Sequence, residues 1–341
     1  MNNCKKICII CDQNCNYDVI DVLVKCNRIS KIYCLFTQVD KIFIPKYRNG
    51  CIAISIDMFD KIYKDLDIII IDPNIKTNIN NILEVICENK IKMLDLRDFI
   101  NYKKTIKQEE CLIRYETESV NILLIDGLNT NYTLKFSLDF KEILNEYYVT
   151  SYISTKILSS IFDLKYFNPL DYKQLKLNNV EFRNYFSKKF HEKNFNNEIS
   201  LIDITYPTIN YNDFFDEQEI VLIKDYIVAM NPDYVICVLP INRLKLEDQE
   251  VIINKIEKDL NINVDSFVAI DYSFDEYTYA SKNEVVILES TEQTKNKIHS
   301  DIIKNSVNYK PIYCSWIKSD IILLKKEIEN KLGKDILYEI V

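Results

Sequence analysis

Glycine is scarce in this chain: Gly50, Gly127 and Gly333 are the only three in 341 residues. Three isolated glycines cannot form a G-x-G-x-x-G dinucleotide loop, and no G-x-x-x-x-G-K-[ST] phosphate loop occurs. Also missing are a G-x-S-x-G nucleophile elbow, an H-E-x-x-H pair and any Cys/His group at metal-ligand spacing. The two histidines, His191 and His299, stand in no recognisable constellation and read as incidental. An enzyme made from this sequence would work through carboxylates, amides or a bound cofactor.

Basic charge is short as well. Forty-three Lys and Arg face 51 Asp and Glu, a net charge of −8. That balance excludes nucleic acid and anionic membrane as main partners, because both reward a basic surface. No apolar run approaches the roughly 18 residues needed to cross a bilayer. The run Ile7–Cys11 is too short for the core of an export signal, and Asp12 ends it. With eleven cysteines, this reads as a cytoplasmic chain with reduced thiols. At 48% hydrophobic and 28% charged, the composition is that of a folded protein. Its length predicts two domains, since single cores rarely grow past about 250–300 residues.

Nine of the eleven cysteines precede residue 112, and Cys4, Cys8 and Cys11 fall in a C-x3-C-x2-C spacing. Radical S-adenosylmethionine enzymes hold an iron–sulfur cluster with that spacing. Yet "KKICIIC" is an apolar run bounded by polar residues, the pattern of a buried parallel strand. Cys8 and Cys11 would then point to opposite faces about 10 Å apart, which cannot serve one cluster. The cysteines read as small apolar fillers. Cys15 adds a fourth thiol and keeps a zinc or cluster site open as the lesser alternative.

The predicted fold class is α/β, with two domains that are each an open, mainly parallel sheet with flanking helices. Residues 1–115 alternate strands ("KICIIC", "KIYCLF", "CIAISI", "DLDIIIID", "IKMLDL") with helices at Tyr17–Asn27, Met58–Lys64, Asn78–Asn89 and Asp98–Lys104. This is a Rossmann- or flavodoxin-like rhythm. The polar segment "TIKQEECLIRYETES" marks the boundary, and residues 119–341 begin a second α/β series. Its expected strands are "VNILLID", "YVTSYI", "ISLIDITY", "DYVICVLP", "VDSFVAID", "EVVILES" and "KPIYCSW". Helices are expected over Phe136–Tyr147, over Phe214–Met230 before Asn231-Pro232, and after Ser319 as N-cap. Phe167–Asn197 shows no clear period and reads as an excursion over the active face.

The stretch "LLIDGLNTNYTLKF" places a polar loop between a buried strand and an amphipathic helix, where a phosphate-binding loop would sit. Gly127, Asn129, Thr130, Asn131 and Thr133 are its candidate cofactor-binding residues, with turn formation and capping as the alternative reading. Asp126, Asp203, Asn242, Arg243 and Asp271 lie at strand ends and are crevice candidates by position, as Asp12 and Asp72 are in the first series; a solvated or capping role is the alternative for each, and for any one alone the stronger reading. The catalytic residues and the cofactor are not named by this pattern; a nucleotide is the cofactor class the loop position suggests.

Four stretches resemble a clostridial family of peptide maturation system proteins. They are the opening strand and helix, "VNILLIDGLNTNYTLKFSLDFKEIL", "NPDYVICVLPINR" and "NYKPIYCSWIKSDIILLKKEIENKLG". Members accompany ribosomally made, Cys-rich natural-product peptides and radical S-adenosylmethionine maturases. The resemblance implies an accessory role, with the precursor peptide or the maturase as partner, and a second domain similar to P-loop folds. The family's T-N-K loop is here "NTNYT", without the lysine, and its Gly-rich turn is "VLPINR", without glycine. Both departures argue against nucleotide hydrolysis. An enzyme with a degenerate P-loop-like site for a nucleotide or nucleoside cofactor is the alternative function.

Overall fold

Continuous runs of branched apolar residues become strands buried on both faces, as parallel sheets between helix layers require. The structure is a computed structural model that describes residues 5–12, 17–25, 28–37, 51–72, 74–96, 119–127, 132–173, 177–194, 196–206, 216–275, 287–304 and 310–332. The chain forms two compact units, one of Met1–Lys103 with Ile157–Asp163 and another of Lys104–Lys156 with Leu164–Val341. The expected helix Asp98–Lys104 and the expected boundary segment before Ser119 lie outside the described residues.

The first unit holds β1 (Lys5–Cys11), α1 (Tyr17–Val24), β2 (Ile29–Phe36), β3 (Cys51–Ile54), α2 (Ile56–Ile62), β4 (Ile68–Ile71), α3 (Asn80–Glu88) and β5 (Lys92–Asp95). Its sheet is parallel throughout, in the order β3-β2-β1-β4-β5. The chain runs outward from β1 to β3, then returns to the other side of β1, so strand order reverses between β1 and β4. Cys8 and Ile10 pack with Leu35, Ile69 and Ile71 and with Phe59, Ile82 and Ile86 of α2 and α3. Cys11 is equally buried on the alternate side of the strand. Burial pushes the Cys8 thiol up to about 12, so at neutral pH it is a protonated, apolar filler.

The second unit contains β6 (Val120–Asp126), α4 (Tyr132–Asn145), β7 (Thr150–Ser154), β8 (Lys165–Tyr166), α5 (Asn179–Asn194), β9 (Ile199–Thr205), α6 (Glu217–Met230) and β10 (Tyr234–Pro240). It continues through α7 (Leu246–Leu260), β11 (Ser266–Ile270), β12 (Tyr272–Phe274), β13 (Ile287–Glu289), α8 (Glu292–Lys304), β14 (Ile312–Cys314) and α9 (Lys318–Leu332). Seven parallel strands run in the order β14-β11-β10-β6-β9-β7-β8. Here the reversal falls at β6, whose neighbours are β9 and β10. Helices α5, α6 and α7 cover one face through a cluster that includes Phe186, Tyr226, Ile256 and the strand residues Leu123, Ile125, Ile153 and Ile202. The other face carries α4, which also packs against α9.

Helix ends follow local chemistry. Asp216 and Glu219 form a reciprocal capping box at the start of α6. Asn231 ends that helix in the left-handed region, φ 50°, and Asn261 ends α7 in the same way, φ 59°. Four expectations are corrected. Phe167–Asn197 is not an irregular excursion: it contains α5, whose inward stripe Phe182, Phe186 and Phe190 packs in the core. Aromatic rings at every anchor, among polar neighbours, hid its period. Ser319 lies inside the first turn of α9 and is not its cap. Of "EVVILES" the described residues 287–290 hold the strand Ile287–Glu289, which pairs antiparallel with β12 and not with the main parallel sheet. Helix α1 stops at Val24, three residues short of its expected end.

Two outcomes test this packing. Phe186→Ala should cost about 3–5 kcal/mol of stability by urea unfolding, because its fully buried ring meets Phe167, Tyr172 and Tyr226. Mass mapping after brief iodoacetamide treatment at pH 8 should find Cys8 unlabelled in the native protein and labelled in urea. Native labelling at the rate of a free thiol would contradict its burial.

Candidate functional site

Alternation along each strand decides which side chains reach the α4 face. Leu123, Ile125, Ile153, Ile202 and Ile204 belong to the core under α5–α7. Their neighbours Asp126, Tyr152, Ser154 and Asp203 therefore point to the opposite side, toward α4. All four lie at or near the carboxyl ends of β6, β7 and β9. The register pairs Leu124 with Asp203 and Asp126 with Thr205, which sets the two aspartates roughly 8 Å apart on adjacent strands. Both are buried, at 1% and 0% exposure.

Each carboxylate is held by donors of this chain. The hydroxyl of Ser154 accepts the backbone N–H of Lys156 at 3.0 Å, turning the chain just after β7. That turn sends the Lys156 ammonium back across β9 to Asp126, where it forms a buried ion pair. Thr133, in the first turn of α4, donates to the same Asp126 oxygen at 3.1 Å and accepts from Lys156. Ser137 donates to the Thr133 carbonyl at 2.9 Å one turn on. Asp203 accepts from the Tyr152 and Ser154 hydroxyls on one oxygen, and from the Thr155 N–H at 3.0 Å and its hydroxyl at 3.3 Å on the other. Burial, and then the neighbouring Asp203 charge, holds the Tyr152 phenol well above its usual range, so it stays a donor.

The candidates read from sequence are thus partly assembled. Asp126 and Thr133 meet directly, and Asp203 stands beside them. Gly127 bonds through its N–H to Val238 of β10 at 3.3 Å, closing the turn after β6. Asn129, Thr130 and Asn131 lie outside the described residues, as do Cys4 and Cys15. Arg243 pairs with Asp248 at 3.2 Å, and Asp271 pairs with Lys295 at 3.4 Å. Asn242 lines a separate cleft beside α8. Sequence reasoning missed Lys156, Tyr152, Ser154 and Thr155; the signal was "STK", a polar triplet that closes a buried strand and puts a lysine two residues past its end. Among the described residues no group of three or more His, Cys, Asp or Glu is placed to hold a metal ion.

The first unit treats its own strand reversal similarly. Asp12, just beyond β1, accepts from the Thr37 hydroxyl after β2, and from the Lys76 N–H and Thr77 hydroxyl after β4, each of the last two at 2.7 Å. Burial opposes ionisation of this carboxyl, but those hydrogen bonds win and hold it below its usual range. Asp72 accepts from the Asn74 N–H at 2.8 Å and shapes the turn after β4.

Among solved structures, the chain is similar to a DUF1611 family protein from Anabaena variabilis, with a TM-score of 0.59 and 8% identity over 96% of this chain and 99% of that one. At that identity the likeness establishes the α/β fold alone. A plasmid partition protein from Borrelia burgdorferi bound to AMPPNP aligns at 0.37 and 12% identity, over 65% of this chain and 100% of that chain. Chloroplast FtsY from Physcomitrella patens aligns at 0.30 and 11% identity, over 51% and 55%. Scores of that size do not amount to a shared overall fold. No protein-family model and no curated protein matches the sequence. Among the described residues no helix is long and apolar enough to cross a membrane.

A double-mutant cycle checks the ion pair. Lys156→Met leaves Asp126 buried without its countercharge and should cost about 3–5 kcal/mol. Adding Asp126→Leu should restore most of that loss. Strictly additive costs in urea unfolding would show that the two groups do not interact.

Proposed function

We propose that this chain is an accessory protein in the maturation of a ribosomally synthesised, Cys-rich natural-product peptide, where it binds the precursor or the radical S-adenosylmethionine enzyme that modifies it. The pathway comes from the resemblance of the four stretches quoted above. One structural observation supports an accessory role over catalysis: both buried carboxylates at the strand ends are engaged by this chain's own donors. Asp126 is occupied by Lys156 and Thr133, and Asp203 by Tyr152, Ser154 and Thr155. A catalytic carboxylate must reach a substrate proton or a metal, and four internal donors on Asp203 work against both.

A second reading has its own observation. Lys156 supplies, from the end of β7, the cation that "NTNYT" lacks, and brings it to the first turn of α4, where the backbone favours anions. Exchange of Asp126 for a phosphate at that ammonium would make this a nucleotide or nucleoside-cofactor site of an enzyme.

Affinity capture of the tagged full chain from its native host should recover the precursor peptide or its modifying enzyme; recovery of neither overturns the accessory reading. Thermal unfolding with ATP, GTP or S-adenosylmethionine, each with Mg²⁺, tests the second. Ligand at a hundred times its Kd adds about 2.7 kcal/mol, and each kcal/mol moves the midpoint by roughly 2–4 °C at this size. A selective rise, absent in Lys156→Met, would move the enzyme reading ahead. No shift with any of the three is the expected outcome.

A further inference from the structure

The second unit carries another concavity that shares none of the residues just described. A cleft of about 680 Å³ lies between the loop after β10 and the flank of α8. That volume falls in the range of small-molecule sites, about 300–1,000 Å³. Ile241, Leu244, Ile298 and Ile302 supply apolar wall; Lys245, Lys297 and Asp301 supply charge; Asn242, Gln293 and Thr294 supply neutral polar groups. β10 borders β6, where strand order reverses, and in open α/β sheets the carboxyl ends at such a reversal are where ligands settle.

Both walls are fixed before any ligand arrives. The Ile241 N–H donates to the Tyr272 carbonyl at 2.8 Å. Gln249, with no exposed surface, donates from below to the Leu244 carbonyl at 3.0 Å, and the Arg243–Asp248 pair braces the same loop. On the other side Lys295 ties α8 to Asp271 at the end of β11. The two lysines of the lining are not used in this way. Lys245 and Lys297 are exposed and form no ion pair with a described residue, although Asp301 stands one turn from Lys297 on the same helix. The lining therefore has net positive charge in a chain that is acidic overall.

We propose that this cleft binds a small amphipathic anion: an apolar body against Ile241, Leu244, Ile298 and Ile302, and a carboxylate or phosphate head beside Lys245 and Lys297. Burial of apolar surface holds the body, and the two ammonium groups select the sign of the head. The site stands apart from Asp126 and Lys156, so it survives failure of either reading above, and they survive its failure.

Isothermal titration calorimetry of the full chain with octanoate, octyl phosphate and neutral octyl glucoside tests it. At least one anion should bind with a stoichiometry of one, about tenfold more tightly than octyl glucoside; the tighter anion assigns the head. Lys245→Ala and Lys297→Ala should each weaken that anion by about two- to fivefold, an effect removed at high salt, and Asp301→Asn should strengthen it. Ile298→Asp should abolish binding, with circular dichroism confirming the fold. The exposed lysine variants carry the test if that variant unfolds. Binding of neither anion, or equal binding of the glucoside with no effect of the lysine variants, overturns the proposal.

Discussion

Asp126 and Lys156 sit at the carboxyl end of the second sheet with almost no exposure, at 1% and 6%, and their mutual neutralisation is what allows that end of the fold to close. An isolated charge at such depth costs several kcal/mol, so neither side chain tolerates the loss of the other. Meeting this condition fixes the neighbouring backbone. The chain after β7 has to turn on Ser154 to bring Lys156 back, and α4 has to start where Thr133 reaches the pair. The same turn delivers Thr155 to Asp203, so one three-residue stretch, Ser154–Lys156, serves both buried carboxylates. Three strand ends and one helix start thus become a single hydrogen-bonded unit.

How much of this was legible in the sequence depended on whether the signal was local. The strands were legible because burial on both faces leaves an uninterrupted apolar run, as in "VNILLID" and "YVICVLP". The end of α6 was legible because Asn231-Pro232 is a stop signal. Helix α5 was not, because its anchors are phenylalanines and tyrosines spaced among lysines and asparagines, which a strand or a loop could carry as well. Asp126, Asp203, Asn242, Arg243 and Asp271 were all found by one positional rule, yet the structure gives them different tasks. Two are buried and saturated, two form ion pairs near the surface, and one lines a cleft.

Lys156 was invisible for a different reason. In the phosphate-loop template the lysine comes from the loop beside the first strand. Here it comes from the end of β7, which is separated from β6 by β9 in the sheet and by a whole helix in the chain. Only the strand order brings the two together. A lysine two residues past a buried strand is easy to notice but carries no meaning until the order of strands is known.

Glycine scarcity and these buried aspartates belong to the same physical account. A nucleotide-binding turn in an α/β sheet uses glycine so that bare backbone N–H groups can approach a phosphate, and the phosphate then satisfies them. With only Gly127 in the described part of the second unit, the chain has little backbone of that kind to offer. Its strand ends are satisfied instead by carboxylates that belong to the chain itself. Asp12 gathers Thr37, Lys76 and Thr77 at the reversal of the first sheet, and Asp126 and Asp203 gather their donors at the reversal of the second. An anionic ligand entering either place would have to displace a carboxylate that is already well bonded, so its affinity would be reduced by the free energy of those bonds. The cleft beside α8 imposes no such cost among the described residues, where its two lysines form no ion pair with a carboxylate.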